Sequence, residues 1–190
     1  ADAQAGGVEH AGVPRMPERD SRRGSPLLVL HIRGRIAGRE LTEPNPPEIH
    51  AAHLDELTPR ALLGILAVRQ AVFVVGQQCA YQDIDWLDAA APTVHLWIED
   101  DAGTIVSTLR LMDDDAGRRI GRVATLPSAR GRGHSSALVR RAIELSDPPV
   151  VLSAQAYLVN WYAGFGFEEC GEHWIEDGIE HVPMRLEVRR

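Results

Sequence analysis

The chain has 190 residues, of which 44% are hydrophobic and 25% charged, with a formal net charge of -7 and a pI near 5.6. That length suits one domain with a sizeable core rather than two, and the acidic balance excludes wholesale binding to nucleic acid, so any anion site must be local. All twenty basic residues are Arg, which rules out a Walker-type lysine, a Schiff-base lysine and a Ser-x-x-Lys nucleophile pair.

Residues 1–46 are rich in Gly, Pro, Arg and Glu around one short apolar island, Leu27–Ile32. This composition predicts a poorly ordered extension with at most one strand or turn, or else sequence upstream of a natural start at Met16 or later. The island, LLVLHI, is too short for a signal segment or a membrane span. The two cysteines, Cys79 and Cys170, stand far apart in no metal-like or redox-like spacing. They point to a reducing, cytoplasmic setting, with both thiols packed as small apolar groups. No metal site is expected. The eight His include no HExxH, and His50 and His53 fall in an expected strand, where their spacing puts them on opposite faces.

From Pro47 the pattern becomes regular, and residues 47–190 read as one domain. EIHAAHL predicts a first strand. Thr58 and Pro59 form an N-cap and first-turn pair, and Leu62, Leu66 and Arg69 follow at helical spacing. AVFVVGQQ, Ala71–Gln78, either ends that helix or forms an apolar turn beyond it, and the acidic stretch YQDIDWLD reads as a loop. TVHLWIED and TIVSTLRLM, joined by Asp100, Asp101, Ala102 and Gly103, predict a β-hairpin. A second turn, DDDAG, leads to the strand RRIGRVATLP, which Pro127 closes.

A helix is expected after residue 133, with Leu138, Ala142 and Leu145 on its buried face, Val139 and Ile143 beside them, and Arg140, Arg141 and Glu144 in solvent. VVLSAQ predicts a buried strand, and AYLVNWYAGFG a short helix ending at Gly164 or Gly166. FEEC and HVPMRLEV, with an Asp177-Gly178 turn between Ile175 and His181, predict a closing antiparallel pair. The sum is an α+β fold, a mostly antiparallel sheet with helices on its faces.

RGRGHS, Arg130–Ser135, lies between an expected strand and an expected helix. Successive backbone N–H groups at a helix N-terminus hold a pyrophosphate well, and glycine lets the backbone come close. Gly131 and Gly133 open such a turn, Ser135 and Ser136 can cap it, and Arg130 and Arg132 add local positive charge. Taken alone, the hexapeptide fits a solvated arginine-rich turn equally well.

Strand, RGRGHS, helix, strand and then NWYAGFGF together resemble the Gcn5-related N-acetyltransferases (GNAT), whose signature is Arg/Gln-x-x-Gly-x-Gly/Ala. Arg130 and Gly133 match it, and Ser135 departs from it. LAVRQAVFVVGQQCAYQDID, RIGRVAT, AQAYLVNWYAGFGF and EDGIEHVPM resemble, in the same order, the ElaA-like branch over about residues 48–188. The resemblance implies helices on both faces of the sheet and a cofactor cleft where the fourth and fifth strands splay. It also implies acetyl-CoA as co-substrate. The amides of Arg130, Gly131, Arg132, Gly133, His134 and Ser135 would hold the pyrophosphate, and Val123, Ala124 and Thr125 would pair with the pantetheine arm. Asn160 and Tyr162 would lie by the pantetheine and the thiol. Gly76 stands where such sequences read VFVVEQ, a departure that bears on amine binding or deprotonation.

The implied reaction is direct attack of an amine, small molecule or peptide, on the thioester. Tyr162, its phenol near the ordinary pKa, is the expected proton donor to the departing thiolate. No carboxylate occurs at Arg122, Val123 or Ala124, where many relatives carry the base. Asp83, Asp85 and, more weakly, His95 are candidates, each also readable as a solvated loop charge or a strand histidine, so the base stays unassigned. Asp83, Asp85 and Asp88 would alternatively attract a cationic substrate. Ser128, Ser135 and Ser136 lack a nucleophile elbow, and Cys79 would need a histidine partner. Two other readings stay open. One is a CoA-responsive module without chemistry, for which Gly76 and the absent carboxylate speak. The other is an enzyme like the acyl-homoserine-lactone synthases, through the segment Arg69–Phe73. No nucleic-acid or membrane partner is expected, and a homodimer is left open.

Overall fold

The computed structural model of the chain describes residues 46–78 and 81–187. The expected extension up to residue 45, with Met16 and the island Leu27–Ile32, lies outside the described residues, as does Cys79.

After a short strand β1 (His50–Ala52), helix α1 (Pro59–Arg69) starts as its sequence predicts, the Thr58 hydroxyl accepting from the Ala61 N–H at 3.1 Å. The helix does not stop at Arg69. Gln70–Gly76 continue it in the wider π form, closed by the Gln77 N–H donating to the Val72 carbonyl at 3.1 Å. The stretch Pro59–Gly76 is the one described helix long and apolar enough to cross a membrane by length and composition. Here Ile65, Val68 and Val72 of that stretch pack on Trp97, Ile105 and Ala124 of the sheet.

The expected hairpin is β2 (Val94–Glu99) with β3 (Ile105–Asp114). The Asp100 carboxylate closes its turn by accepting from the N–H groups of Ala102 and Thr104 at 3.0 and 2.9 Å. There follow β4 (Gly117–Thr125), α2 (His134–Glu144), β5 (Val150–Gln155), the short α3 (Val159–Ala163), β6 (Glu168–Glu169), β7 (Trp174–Glu176) and β8 (Ile179–Leu186). Asp177 and Gly178, both at positive φ, turn β7 into β8. The sheet order is β1-β2-β3-β4-β5-β8-β6, with β7 also on β8.

Side-chain alternation divides the core between the two faces of the sheet. Leu138, Val139 and Ala142 of α2 pack on Leu96, Ile98, Leu109, Leu111 and Ile120, while α1 covers the other face. Each fully buried Leu, Ile or Val side chain contributes about 1.5–3 kcal/mol. Two expectations are corrected. Leu145 is 41% exposed, because the helix ends at Glu144 and Leu145 is its C-cap. Cys170 is exposed too, beyond the end of the two-residue β6.

Two irregularities shape the functional region. Every strand pair is antiparallel except β4 with β5, which are parallel and paired only at Arg118 with Val150 and Arg119 with Val151. Beyond those pairs the strands part. In β4, Arg122 and Val123 together face the single residue Leu109, a β-bulge with Arg122 at φ +53°.

Candidate active site

The parting of β4 and β5 opens a cleft of about 830 Å³. Val123, Ala124 and Thr125 line one wall, and Ser153, Gln155 and Tyr157 the other. Arg130, Gly131, Gly133, His134 and Ser135 close one part of it, and Tyr162, Phe73, Tyr81 and His181 also line it. Nine of the eleven residues singled out in the sequence therefore meet in one cavity. Arg132 and Asn160 are exposed and do not line it.

The turn before α2 is built by glycine. Gly131 and Gly133 sit at φ +77° and +80°, and Gly133 is the N-cap, with no side-chain capping bond. Ser135 and Ser136 therefore do not cap the helix as expected. Among the described residues nothing accepts from the N–H groups of His134, Ser135 and Ser136, which are left free at the positive end of the helix dipole. Ser135, the departure from the signature, has another task. Its hydroxyl bonds the Thr125 hydroxyl at 2.6 Å, which meets the Ser107 hydroxyl at 2.7 Å, and Ser107 donates to the Ala124 carbonyl at 3.1 Å. The side chain that the pattern would exclude ties the helix start to the end of β4. Arg130 adds a second tie, donating from Nε to the Thr125 carbonyl at 3.2 Å.

His134 turns a buried, unpartnered Nδ1 toward this region, and burial, with the nearby Arg132 charge, holds its pKa below the ordinary histidine value. Free amides, glycines and a neutral imidazole at one helix start make a set of donors that fits a pyrophosphate.

The carboxylates of the acidic loop are not free in solvent. Arg69 Nε donates to Asp83 at 2.9 Å and its Nη1 to Asp88 at 2.6 Å; Arg110 Nη1 donates to Asp88 at 2.8 Å and to Asp85 at 2.6 Å. Arg122 closes the ring on Asp83 at 2.8 Å and Asp85 at 3.4 Å. Each guanidinium spans two carboxylates and each carboxylate two guanidiniums, so the charges cancel locally. Burial is the largest single influence on Asp88 and raises its pKa. The hydrogen bonds from Arg69 and Arg110, with their charges, outweigh it and hold the carboxyl at about 2.

This ring corrects the reading of Asp83 and Asp85 as candidate bases, and of those two with Asp88 as bait for a cation. His95 does not line the cleft: it is buried, its Nε2 meets the Asp88 carbonyl at 2.9 Å and its Nδ1 is unpartnered. Sequence reasoning missed the three arginines. The available signal was Arg69 within the apolar stripe of α1 and Arg110 between two core leucines of β3, since a buried Arg requires partners. The ring also holds Arg122, and with it the bulge, in place. Tyr81 donates to Asp83 at 3.0 Å, and the Arg122 guanidinium lies 5.5 Å from its ring.

Tyr162 sits on α3, only 6% exposed, edge-on to Trp161 and Phe167 at 4.7 and 6.1 Å. Burial pushes its phenol well above the ordinary value, which corrects the expectation of a near-normal pKa. The group is therefore held protonated.

The residues 55–188 match the family described as "Acetyltransferase (GNAT) domain". The chain belongs to the GNAT family. A UPF0039 protein of Mycobacterium tuberculosis (strain H37Rv) is 46% identical over 134 residues, covering 68% of this chain and 86% of the relative. The crystal structure of Escherichia coli ElaA is 35% identical with a TM-score of 0.70, over 75% of this chain and 100% of that one. An acyl-CoA N-acyltransferase from Pseudomonas aeruginosa is 37% identical with a TM-score of 0.69, over 74% and 99%. The fold, with its parallel β4–β5 pair, is that of the GNAT proteins, and membership implies binding of an acyl-CoA. Among the described residues, no group of His, Cys, Asp and Glu could hold a metal ion.

Proposed function

We propose that the chain is an N-acetyltransferase that moves the acetyl group of acetyl-CoA to an amine by direct attack. The observation that carries this reading is the cleft at the β4–β5 parting, which puts a phosphate-fitting helix start and a protonated tyrosine in one cavity. In this reading the free amides of α2 take the pyrophosphate, with His134 beside them, and the strand ends at Val123–Thr125 and Ser153–Gln155 flank the pantetheine arm. The thioester then lies toward Tyr162. Most of the acceleration comes from holding amine and thioester together. The phenol is a weak acid where it stands, but a thiolate leaving beside the same buried group is a stronger base than the phenol's surroundings tolerate unprotonated, and proton transfer between them relieves both.

The test is acetyl-CoA-dependent thiol release across a panel of small amines and peptides bearing free amino groups. Release with at least one acceptor class is expected, and its absence across the panel removes the enzyme reading. One observation favours a second reading, a CoA-responsive binding module: Gly76, exposed at the end of the π turn, gives that position no carboxylate. Acetyl-CoA binding without release on any acceptor selects the module.

A further inference from the structure

We propose that His181 is the general base of the transfer, accepting the amine proton at Nε2; the inference rests on the acetyltransferase reading above. His181 lines the cleft from β8, opposite Gln155 of β5. Its Nδ1 lies 3.0 Å from the Ile179 carbonyl. A carbonyl only accepts, so Nδ1 carries the proton and the Nε2 lone pair is left unprotonated in the neutral ring. Among the described residues nothing donates to that nitrogen. Trp174 stacks on the ring, with centroids 5.7 Å apart and planes 22° apart, and fixes its plane. A base with a fixed tautomer and a fixed plane needs no rearrangement to take a proton.

The faces of the sheet support the assignment. Val182, Met184 and Leu186 of β8 point into the core under α2, where Tyr162 also packs, so alternation puts His181 on the face that α1 covers. On that face Gln155 is tied to Gln77, just beyond the π turn, at 3.1 Å. Tyr162 therefore reaches the cleft from one face and His181 from the other. The two groups thus do not compete for one position, and each can reach its own proton, His181 that of the amine and Tyr162 that given to the thiolate.

Three other titratable groups at this end are engaged in hydrogen bonds. Tyr81 donates to Asp83, Tyr157 donates to Gln155, and Glu176 accepts from the Trp174 indole at 3.4 Å. Asp177 stands at the hairpin tip, and His134, the other imidazole lining the cleft, belongs to the α2 start. The protons balance as follows. An ammonium acceptor loses one proton to His181 Nε2, and the imidazolium passes it to solvent. The free amine attacks, the C–N bond forms and the C–S bond breaks. The second nitrogen proton replaces the one that Tyr162 gives to the thiolate. The products are amide, CoA thiol and one released proton.

The experiment compares the full chain with His181→Gln on an accepted amine, following thiol release against pH, with acetyl-CoA affinity measured alongside. The variant is expected to lose about 10²-fold or more in kcat with acetyl-CoA affinity within about twofold. The pH dependence of kcat/KM is expected to differ between the wild type and the variant. Imidazole nitrogen shifts in the wild-type chain, labelled with ¹⁵N, are expected to show His181 protonated at Nδ1. An active wild type beside an equally active variant with the same pH profile overturns the base alone, as does a ring protonated at Nε2. A wild type active on no amine overturns both this inference and the reading beneath it.

Discussion

At the scale of single residues, the site rests on groups whose surroundings settle their state. Tyr162 is buried and protonated, and in the proposed reaction its hydroxyl is the one part of it that the chemistry needs. Tyr162→Phe keeps the ring and its edge-on contacts. It should therefore leave acetyl-CoA affinity within about twofold while lowering kcat by about 10²-fold, measured by calorimetry and thiol release. Asp88 makes the opposite case. Asp88→Asn leaves Arg69 and Arg110 each short of one charged partner in a buried ring, and an uncompensated buried charge costs about 3–5 kcal/mol. A urea denaturation series should show that loss. The two residues also differ in how visible they are in the sequence. Tyr162 was legible because a local block, NWYAGFGF, follows a glycine loop. The ring joins α1, the 83–88 loop and two strands, and pairing over such separations leaves no short pattern to read.

At the scale of elements, the turn before α2 and the parting of β4 from β5 depend on backbone geometry that glycine allows. A Cβ at Gly133 would meet no atom within 4 Å, so Gly133→Ala costs only the strain of φ +80°, about 1–2 kcal/mol. It also places a methyl group beside the free amides, and acetyl-CoA affinity should fall more than stability does. Gly117 is different, because a Cβ there would lie 2.2 Å from the Pro149 carbonyl oxygen, where Arg118 also makes its bond. Gly117→Ala should displace the start of the β4–β5 pair and destabilise the protein by about 3 kcal/mol or more, read from thermal unfolding. The hairpins, the Thr58-capped helix and the glycine turn were all legible, because each rests on local chemistry. The π continuation after Arg69 was not, since the same apolar run serves an α-helix, a turn or a π turn. Ser135 shows a further limit. Its volume argued against it, while its hydroxyl bond to Thr125 depends on a partner ten residues away.

At the scale of the whole molecule, charge couples the site to stability. The Asp88 carboxyl is held at about 2, below its value of about 3.9 in an unfolded chain. Its contribution is complete above about pH 4 and is lost as pH falls through about 2, which amounts to roughly 2–3 kcal/mol. Unfolding free energy should decline across that interval, and Asp88→Asn should flatten the decline. The α+β order and the helix on each face were legible from periodicity, whereas the meeting of residues from β4, β5, α3 and β8 in one cleft follows from where the strands part. The central claim is that this cleft holds an acyl-CoA, and calorimetric titration of the full chain with acetyl-CoA tests it most directly. The account predicts one site per chain with a dissociation constant in about the micromolar range, and absence of binding heat at high micromolar protein and ligand would contradict it.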